Sequence, residues 1–169
     1  MITICGASRS GTTLLQQMLS TTVTNRYVHQ YECPYTKAAD CHSITKRPLD
    51  LYNVHDILFN EDNKIIIMLR DPRSIVTSIH TSVPYDYFIG HDYCYFVSPT
   101  RTYRRAKGSY MECAPRLLYL YSLCTPQVSV VRYEDLVRQP SAVQEALGEW
   151  APFDYDGKFE DFHTKSLAN

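Results

Sequence analysis

The sequence of 169 residues lacks an excess of charge of either sign, because 17 Lys and Arg residues nearly balance 18 Asp and Glu residues. A net charge of −1 excludes the broad basic field with which proteins wrap nucleic acid. No apolar run approaches the roughly 18–20 residues that a membrane-spanning helix requires. No basic signal region precedes the first apolar residues. We therefore expect a cytoplasmic chain with no nucleic-acid partner and no membrane span.

The sequence also lacks closely spaced cysteine or histidine pairs, although it contains six cysteines. Zinc sites and redox motifs need such pairs, so we expect no metal site. We interpret the cysteines as small, mostly buried residues with reduced thiols. A chain of this length buries roughly 70% of its unfolded surface, which provides a core without disulfides or metal. We expect one domain over 1–169.

Strand-like and helix-like patterns alternate along the chain. Apolar runs predict buried strands at 2–5, 64–69 and 128–132, with weaker ones at 28–31 and 43–45. Helical spacing of apolar residues predicts helices at 13–19, 51–59, from Pro72 onward, 110–123 and 135–147, the last interrupted at Pro140. This alternation predicts an α/β domain of three layers around a mainly parallel sheet.

A glycine loop, G-A-S-R-S-G-T-T from residue 6 to residue 13, lies between the first strand and the first helix. Two glycines let backbone amides face one anion, and the helix N-terminus adds about half a positive charge. The spacing matches the P-loop G-x-x-x-x-G-K-[ST], but Thr12 replaces the lysine and the cation lies at Arg9. The loop therefore indicates a phosphate ligand and argues against ordinary γ-phosphoryl transfer. The alternative is a plain glycine turn between a strand and a helix.

A second anion-binding station is predicted at Arg70, which directly follows the most apolar strand, where ligands of parallel sheets bind. Ser78 lies four residues after Ser74, so we expect both on one face of the following helix. Arg70 and Ser78 could grip an anion together, the arginine by a bidentate fork. The alternative is that Arg70 pairs with Asp71 or Glu134 and Ser78 only caps locally.

Two further residues stand at predicted strand ends. Tyr133 follows the strand at 128–132 and could stack on a base, or be buried with one hydrogen bond. Lys46, in the sequence Thr-Lys-Arg-Pro, could face the same cleft or lie in solvent. The residues alone leave both alternatives open.

Together these stretches resemble the sulfotransferases that use 3′-phosphoadenosine 5′-phosphosulfate. The loop G-x-x-R-S-G-T-T-L-L is similar to the family's 5′-phosphosulfate loop. The sequence R-D-P-R, followed by Ser78, is similar to its 3′-phosphate motif, and R-Y-E-D-L from Arg132 resembles its downstream segment. The closest resemblance in style is to tyrosylprotein and bacterial carbohydrate sulfotransferases, whose loops carry a proline where this chain has Ser8. The resemblance implies a fold similar to P-loop NTPases.

The resemblance also implies roles for single residues. Arg9 and Lys46 would be catalytic cations at the leaving oxygen, and Glu32 matches the glutamate that serves as base in the tyrosylprotein branch. Arg70 and Ser78 would bind the 3′-phosphate, while Tyr133 would contact or position adenine. The loop residues that would bind the 5′-phosphosulfate are Ser8, Arg9, Ser10, Gly11, Thr12 and Thr13.

The activity implied is in-line transfer of a sulfuryl group to a hydroxyl of a carbohydrate, a phenol or a tyrosyl peptide. It would release adenosine 3′,5′-bisphosphate and would need no metal. Two alternatives stay open, namely a degenerate module that binds a nucleotide or a partner without turnover, and a P-loop nucleotide kinase. We interpret the segment 84–108, rich in Tyr and Arg, as a variable acceptor or lid element, or as aromatic packing under a loop. Assembly into a homo-oligomer also stays open.

Overall fold

The strands and helices come from a computed structural model that describes residues 1–78, 86–89, 94–97, 103–106 and 109–166. In the three short middle ranges and at 165–166 only the backbone is described. The strands are β1 (Ile2–Gly6), β2 (Tyr27–Val28), β3 (Ser43–Lys46), β4 (Lys64–Leu69), β5 (Asp86–Ile89), β6 (Cys94–Val97), β7 (Tyr103–Ala106) and β8 (Val128–Arg132). The α-helices are α1 (Thr12–Thr22), α2 (Val54–Leu58), α3 (Pro72–Val76), α4 (Tyr110–Ser122), α5 (Tyr133–Arg138), α6 (Pro140–Trp150) and α7 (Phe162–Ser166). Short 3-10 helices lie at Tyr35–Lys37, Pro48–Asn53 and Phe159–Asp161.

The central sheet of the described chain is parallel throughout, with the strand order β2-β3-β1-β4-β8. β1 lies in the middle, where Ile4 is opposite Lys46 on one side and Ile66 on the other. All five residues of β1 and the four central residues of β4 are buried. Such continuous apolar runs suit strands that are covered on both faces. The predicted α/β class with a mainly parallel sheet is confirmed.

Successive residues of the central strands point to opposite faces of the sheet and so build two cores. On one face Ile4 and Ile66 pack with residues of α1 and α6, among them Leu15, Leu19 and Leu147. On the other face the core contains Cys5, Ile65, Ile67, Leu51, Ile57, Ile75 and Leu120, which come from β1, β4 and the elements between Pro48 and Ser122. Helices therefore cover both faces of the sheet, as the three-layer prediction requires.

Helix α3 is shorter than the sequence predicts. Asp71 caps it, accepting a hydrogen bond from the Arg73 backbone amide. The helix ends at Val76, and the Ser78 amide donates to the carbonyl of Ile75, three residues back, at 3.1 Å. This tighter bonding ends the α-helical turn. Ser78 thus lies beyond the helix, and the prediction that it shares a helical face with Ser74 is wrong.

Other predictions had mixed outcomes. α6 begins at Pro140 after α5 ends, so the predicted interruption is confirmed. Among the described cysteines, Cys5, Cys33 and Cys113 are buried, but Cys41 and Cys124 are exposed. Within the Tyr- and Arg-rich segment, β5, β6 and β7 pair as an antiparallel sheet that the sequence did not lead us to predict. The rest of that segment, with its predicted acceptor or lid role, lies outside the described residues.

Truncation of the buried β4 side chain Ile66 tests this packing. Ile66→Ala removes a side chain with no solvent exposure, so we expect the free energy of unfolding to fall by about 2–5 kcal/mol. The matched control is Val137→Ala on α5, where the side chain is 53% exposed and the change should be within about 0.5 kcal/mol. Urea unfolding measures both, and similar losses at the two positions would contradict the assigned core.

Candidate active site

The glycine loop leaves the carboxyl end of β1 and passes close to β4 and Tyr133. A Cβ atom added at Gly6 would lie 2.6 Å from the Met68 carbonyl oxygen. At Gly11, which has a φ of 98°, an added Cβ would lie 2.4 Å from Cδ2 of Tyr133. Both glycines are therefore required by close approach, and Gly11 also by its backbone conformation. These contacts explain both glycines in a phosphate loop and in a plain turn alike, so this alternative stays open.

The loop interior carries a buried hydroxyl and a constrained arginine. The Ser10 side chain is fully buried, and its Oγ has no hydrogen-bond partner among the described residues. Arg9 adopts a φ of 69°, in the left-handed region that residues other than glycine rarely occupy. Such conformations persist where the surrounding structure fixes them, and they cluster at functional sites. A buried polar atom without a partner is the feature expected where a ligand supplies one.

Arg70, at the end of β4, joins the loop to the second predicted station. Its Nη1 donates to the Arg9 carbonyl oxygen at 2.8 Å, and Nε of Arg9 donates to Oγ of Ser78 at 3.1 Å. The Arg70 guanidinium lies 4.2 Å from the centroid of the Tyr133 ring. Nε of Arg70 is buried and has no hydrogen-bond partner within the described chain. Four predicted site residues therefore meet at one place, although they come from distant parts of the sequence.

The carboxylates that could have paired with Arg70 have other partners. Oδ2 of Asp71 lies 2.6 Å from Nη2 of Arg73. Hydrogen bonds from Arg73 lower the pKa of Asp71 to about 2. Glu134 accepts a hydrogen bond from the Asp71 backbone at 2.9 Å. Within the described part of the chain, neither carboxylate pairs with Arg70, so the alternative in which one of them neutralises Arg70 is not observed.

A second group of predicted residues lies at the end of β3. Nζ of Lys46 lies 3.3 Å from Oε1 of Glu32 and 3.3 Å from Oγ1 of Thr13. The Lys46 side chain is 6% exposed, whereas that of Glu32 is 61% exposed. A buried ammonium group needs such partners, because transferring it from water without them is costly. The alternative of a solvated Lys46 is wrong.

A cavity of about 500 Å³ opens beside Arg70, at the carboxyl ends of β4 and β8. Its walls come from α3, α4 and the segments that follow the two strands, and include Pro72, Ile75, Tyr110, Leu117 and Arg132. Volumes of this size are typical of sites for small molecules and cofactors.

A family model described as "Sulfotransferase domain" matches residues 1–151, which extend from β1 to the end of α6. The chain belongs to the sulfotransferase family. No curated protein matches it significantly. Membership supports sulfuryl transfer in general, from a sulfate donor to a hydroxyl acceptor, and the parallel sheet and loop suit the P-loop-like fold of this family. No helix among the described residues is long and apolar enough to cross a membrane.

Gln16 and Asp50 are among the buried polar residues of this sulfotransferase that the sequence did not lead us to predict. Gln16 is 2% exposed and follows Leu15 on the buried side of α1. A polar residue within an apolar helical stripe was the available signal. Asp50 is fully buried, and burial raises its pKa, while hydrogen bonds from Tyr35 and Asn53 oppose that effect. Asp50 had no comparable signal, because its partners are set by tertiary structure.

The contact between Gly11 and Tyr133 can be tested by a double-mutant cycle. Gly11→Ala should lower the free energy of unfolding by about 1–3 kcal/mol, through overpacking and its left-handed backbone. In a Tyr133→Ala background the cost should be smaller, because the opposing ring is gone. Gly148→Ala on α6, remote from the loop, is the control. An equal cost for Gly11→Ala in both backgrounds, measured by urea unfolding, would contradict the contact.

Proposed function

We propose that this sulfotransferase takes its sulfuryl group from 3′-phosphoadenosine 5′-phosphosulfate and passes it to an acceptor hydroxyl. The observation that carries the proposal is the linkage of two anion stations by Arg70, which donates to the Arg9 carbonyl. A donor with anionic groups at both the 5′ and the 3′ position needs two linked stations. ATP needs a single extended station with a lysine and a magnesium-binding carboxylate, and Thr12 stands where that lysine would be.

The residues present fit such a donor. The buried Oγ of Ser10 and the buried Nε of Arg70 are polar atoms without partners in the described chain, one at each station. Backbone amides and hydroxyls from Ser8 to Thr13 would hold the 5′-phosphosulfate, as expected at a helix N-terminus. Arg70 and Ser78 would hold the 3′-phosphate. The neighbouring cavity of about 500 Å³ offers room for a nucleoside.

The nucleoside would be positioned by Tyr133. Its ring packs against Gly11 and lies under the Arg70 guanidinium, so it is fixed between the two anion stations. A fixed aromatic ring suits contact with adenine, because every base offers a π-face for stacking. In this proposal, Tyr133 therefore contacts adenine.

The reaction chemistry falls to three side chains. The donor supplies an electrophilic sulfur when bound. Arg9 and Lys46 stabilise the charge that grows on the oxygen leaving with the 5′-phosphate. Lys46 is buried, so it does so with little reorganisation. Glu32, whose carboxylate is largely exposed, accepts the proton of the incoming hydroxyl. The contact of Lys46 with Thr13 and with Glu32 holds the cation between the loop and the base.

Transfer of radiolabelled sulfate from this donor tests the proposal. The acceptor panel contains a tyrosyl peptide, p-nitrophenol and a hexosamine oligosaccharide. We expect labelled product with at least one acceptor, without added metal, and strongly reduced product with Glu32→Gln. Binding of adenosine 3′,5′-bisphosphate without transfer to any acceptor would instead indicate a module that binds nucleotide without turnover.

Arg70→Ala should separate the two anion stations. We expect binding of adenosine 3′,5′-bisphosphate to weaken about 10- to 100-fold, since a hydrogen bond to a charged group contributes roughly 1.5–3 kcal/mol. Binding of adenosine 5′-monophosphate, which lacks the 3′-phosphate, should weaken less, because it loses only the support that Arg70 gives to the loop through the Arg9 carbonyl. Arg138→Ala, at an exposed position on α5, is the matched control. Calorimetry measures both affinities, and equal weakening for the two nucleotides would refute the assignment.

Arg9→Asn should lower turnover more than nucleotide affinity. Asparagine tolerates the left-handed backbone at this position, so the loop is retained while the cation is lost. We expect kcat to fall about 100- to 1,000-fold, as when a donor to a developing oxyanion is removed. Binding of adenosine 3′,5′-bisphosphate should weaken much less. Weakened binding with intact turnover would show that Arg9 only anchors the nucleotide.

A further inference from the structure

The proposed base, Glu32, lies in an irregular stretch of chain at 29–34, between β2 and the 3-10 helix at Tyr35–Lys37. A side chain on irregular backbone takes a defined position only if other parts of the protein hold that backbone. The carboxylate of Glu32 nevertheless reaches Nζ of Lys46 at 3.3 Å. The contacts that hold this stretch are therefore relevant to catalysis.

One set of contacts comes from α1 through the side chain of Gln16. Its Nε2 donates to the His29 carbonyl oxygen and, at 3.2 Å, to the Tyr31 carbonyl oxygen. Gln16 is 2% exposed, so these two carbonyl groups are its polar partners in a buried setting. It lies three residues after Thr13, on the same side of the helix. One helix therefore contacts both Lys46, through Thr13, and the chain that carries Glu32.

The same stretch is held on the far side of Glu32. The Cys33 amide donates to the Lys46 carbonyl oxygen at 3.0 Å, and the Tyr35 amide donates to Oδ2 of Asp50 at 2.8 Å. The chain is thus fixed both before and after Glu32. Before Glu32, the His29 amide donates to the Ile44 carbonyl oxygen at 3.0 Å, which ties the start of the stretch to β3. Gln16 binds the carbonyl groups of His29 and Tyr31, and Tyr31 directly precedes Glu32. Loss of Gln16 would therefore release the chain next to Glu32, while His29 would keep its bond to β3.

We propose that Gln16 is a positioning residue for sulfuryl transfer, which holds the backbone at His29 and Tyr31 so that Glu32 meets both Lys46 and the acceptor hydroxyl. The inference rests on the proposed function, because Glu32 acts as base only within it. Gln16 acts through Glu32 and does not touch the donor. Its removal should therefore affect turnover and leave nucleotide affinity nearly unchanged.

The test uses Gln16→Met, which nearly preserves the side-chain shape but removes both donors. The matched control is Gln17→Met, because Gln17 is the next residue of α1 and is exposed. With the acceptor found in the panel, we expect Gln16→Met to lower kcat about 10- to 100-fold, the scale of a misplacement near 1 Å. The KM for the donor and the affinity for adenosine 3′,5′-bisphosphate should stay within about twofold of the wild-type values, because the anion stations are unaltered. Gln17→Met should leave all of these values unchanged, and an equal effect of the two substitutions would overturn the proposal.

A double-mutant cycle distinguishes positioning of Glu32 from a general structural effect. In a Glu32→Gln background the base is already absent, so adding Gln16→Met should lower turnover by less than about twofold. Full additivity of the two losses would show that Gln16 does not act through Glu32. If Gln16→Met fails to fold, Gln16→Asn takes its place, since it keeps the amide on a side chain shorter by one methylene. It should give the same pattern with a smaller loss.

Hydrogen exchange provides a readout that does not depend on turnover. The hydrogen-bonded amides of Cys33 and Tyr35, and to a smaller extent that of His29, should exchange faster in Gln16→Met than in wild type or Gln17→Met, with adenosine 3′,5′-bisphosphate bound in all three. Unchanged exchange would overturn the positioning role even if activity fell. If the wild type transfers sulfate to no acceptor, the proposed function fails. Faster exchange would then still support the hold of Gln16 on this stretch.

Discussion

The hydrogen bond from Arg70 to the Arg9 carbonyl is the interaction on which the site depends. It forms only because the loop runs against the end of β4, where a side chain at Gly6 would collide with Met68. The bond keeps a cationic side chain beside a backbone group of the loop, and Arg9 in turn donates to Ser78. The close approach of the glycine loop to the end of β4 thereby joins the two anion stations into a single site.

The parallel sheet explains why the remaining groups arrive at the same edge. Neighbouring parallel strands end on the same side, so the residues after them lie close together. Lys46 ends β3, Arg70 follows β4 and Tyr133 follows β8. Lys46 is buried and contacts Glu32, so the same edge of the sheet also carries the residues that we propose for the chemical step. The family match covers residues 1–151, a range that includes these positions.

Sequence patterns predicted the parts of the fold that depend on local chemistry. The apolar run of β4 and the break at Pro140 were located correctly. A strand buried on both faces is continuously apolar, and proline lacks the amide hydrogen that a continuing helix needs, so both features are visible in the sequence. The end of α3 before Ser78 was missed, since hydrogen bonds of the last turn decided it. The place of Gln16 in an apolar helical stripe signalled a buried polar residue, but the sequence does not show what it binds. Its acceptors are backbone carbonyl groups of another segment, and a carbonyl group has no residue-specific signature.

The central claim is that this site is built for a nucleotide with anionic groups at both its 3′ and 5′ positions. Calorimetric titration of the full chain with adenosine 3′,5′-bisphosphate and with ATP, each with and without magnesium, tests that claim most directly. We expect the bisphosphate to bind more tightly than ATP, with an affinity that does not depend on magnesium. Tighter, magnesium-dependent binding of ATP would contradict the account and would favour a P-loop kinase.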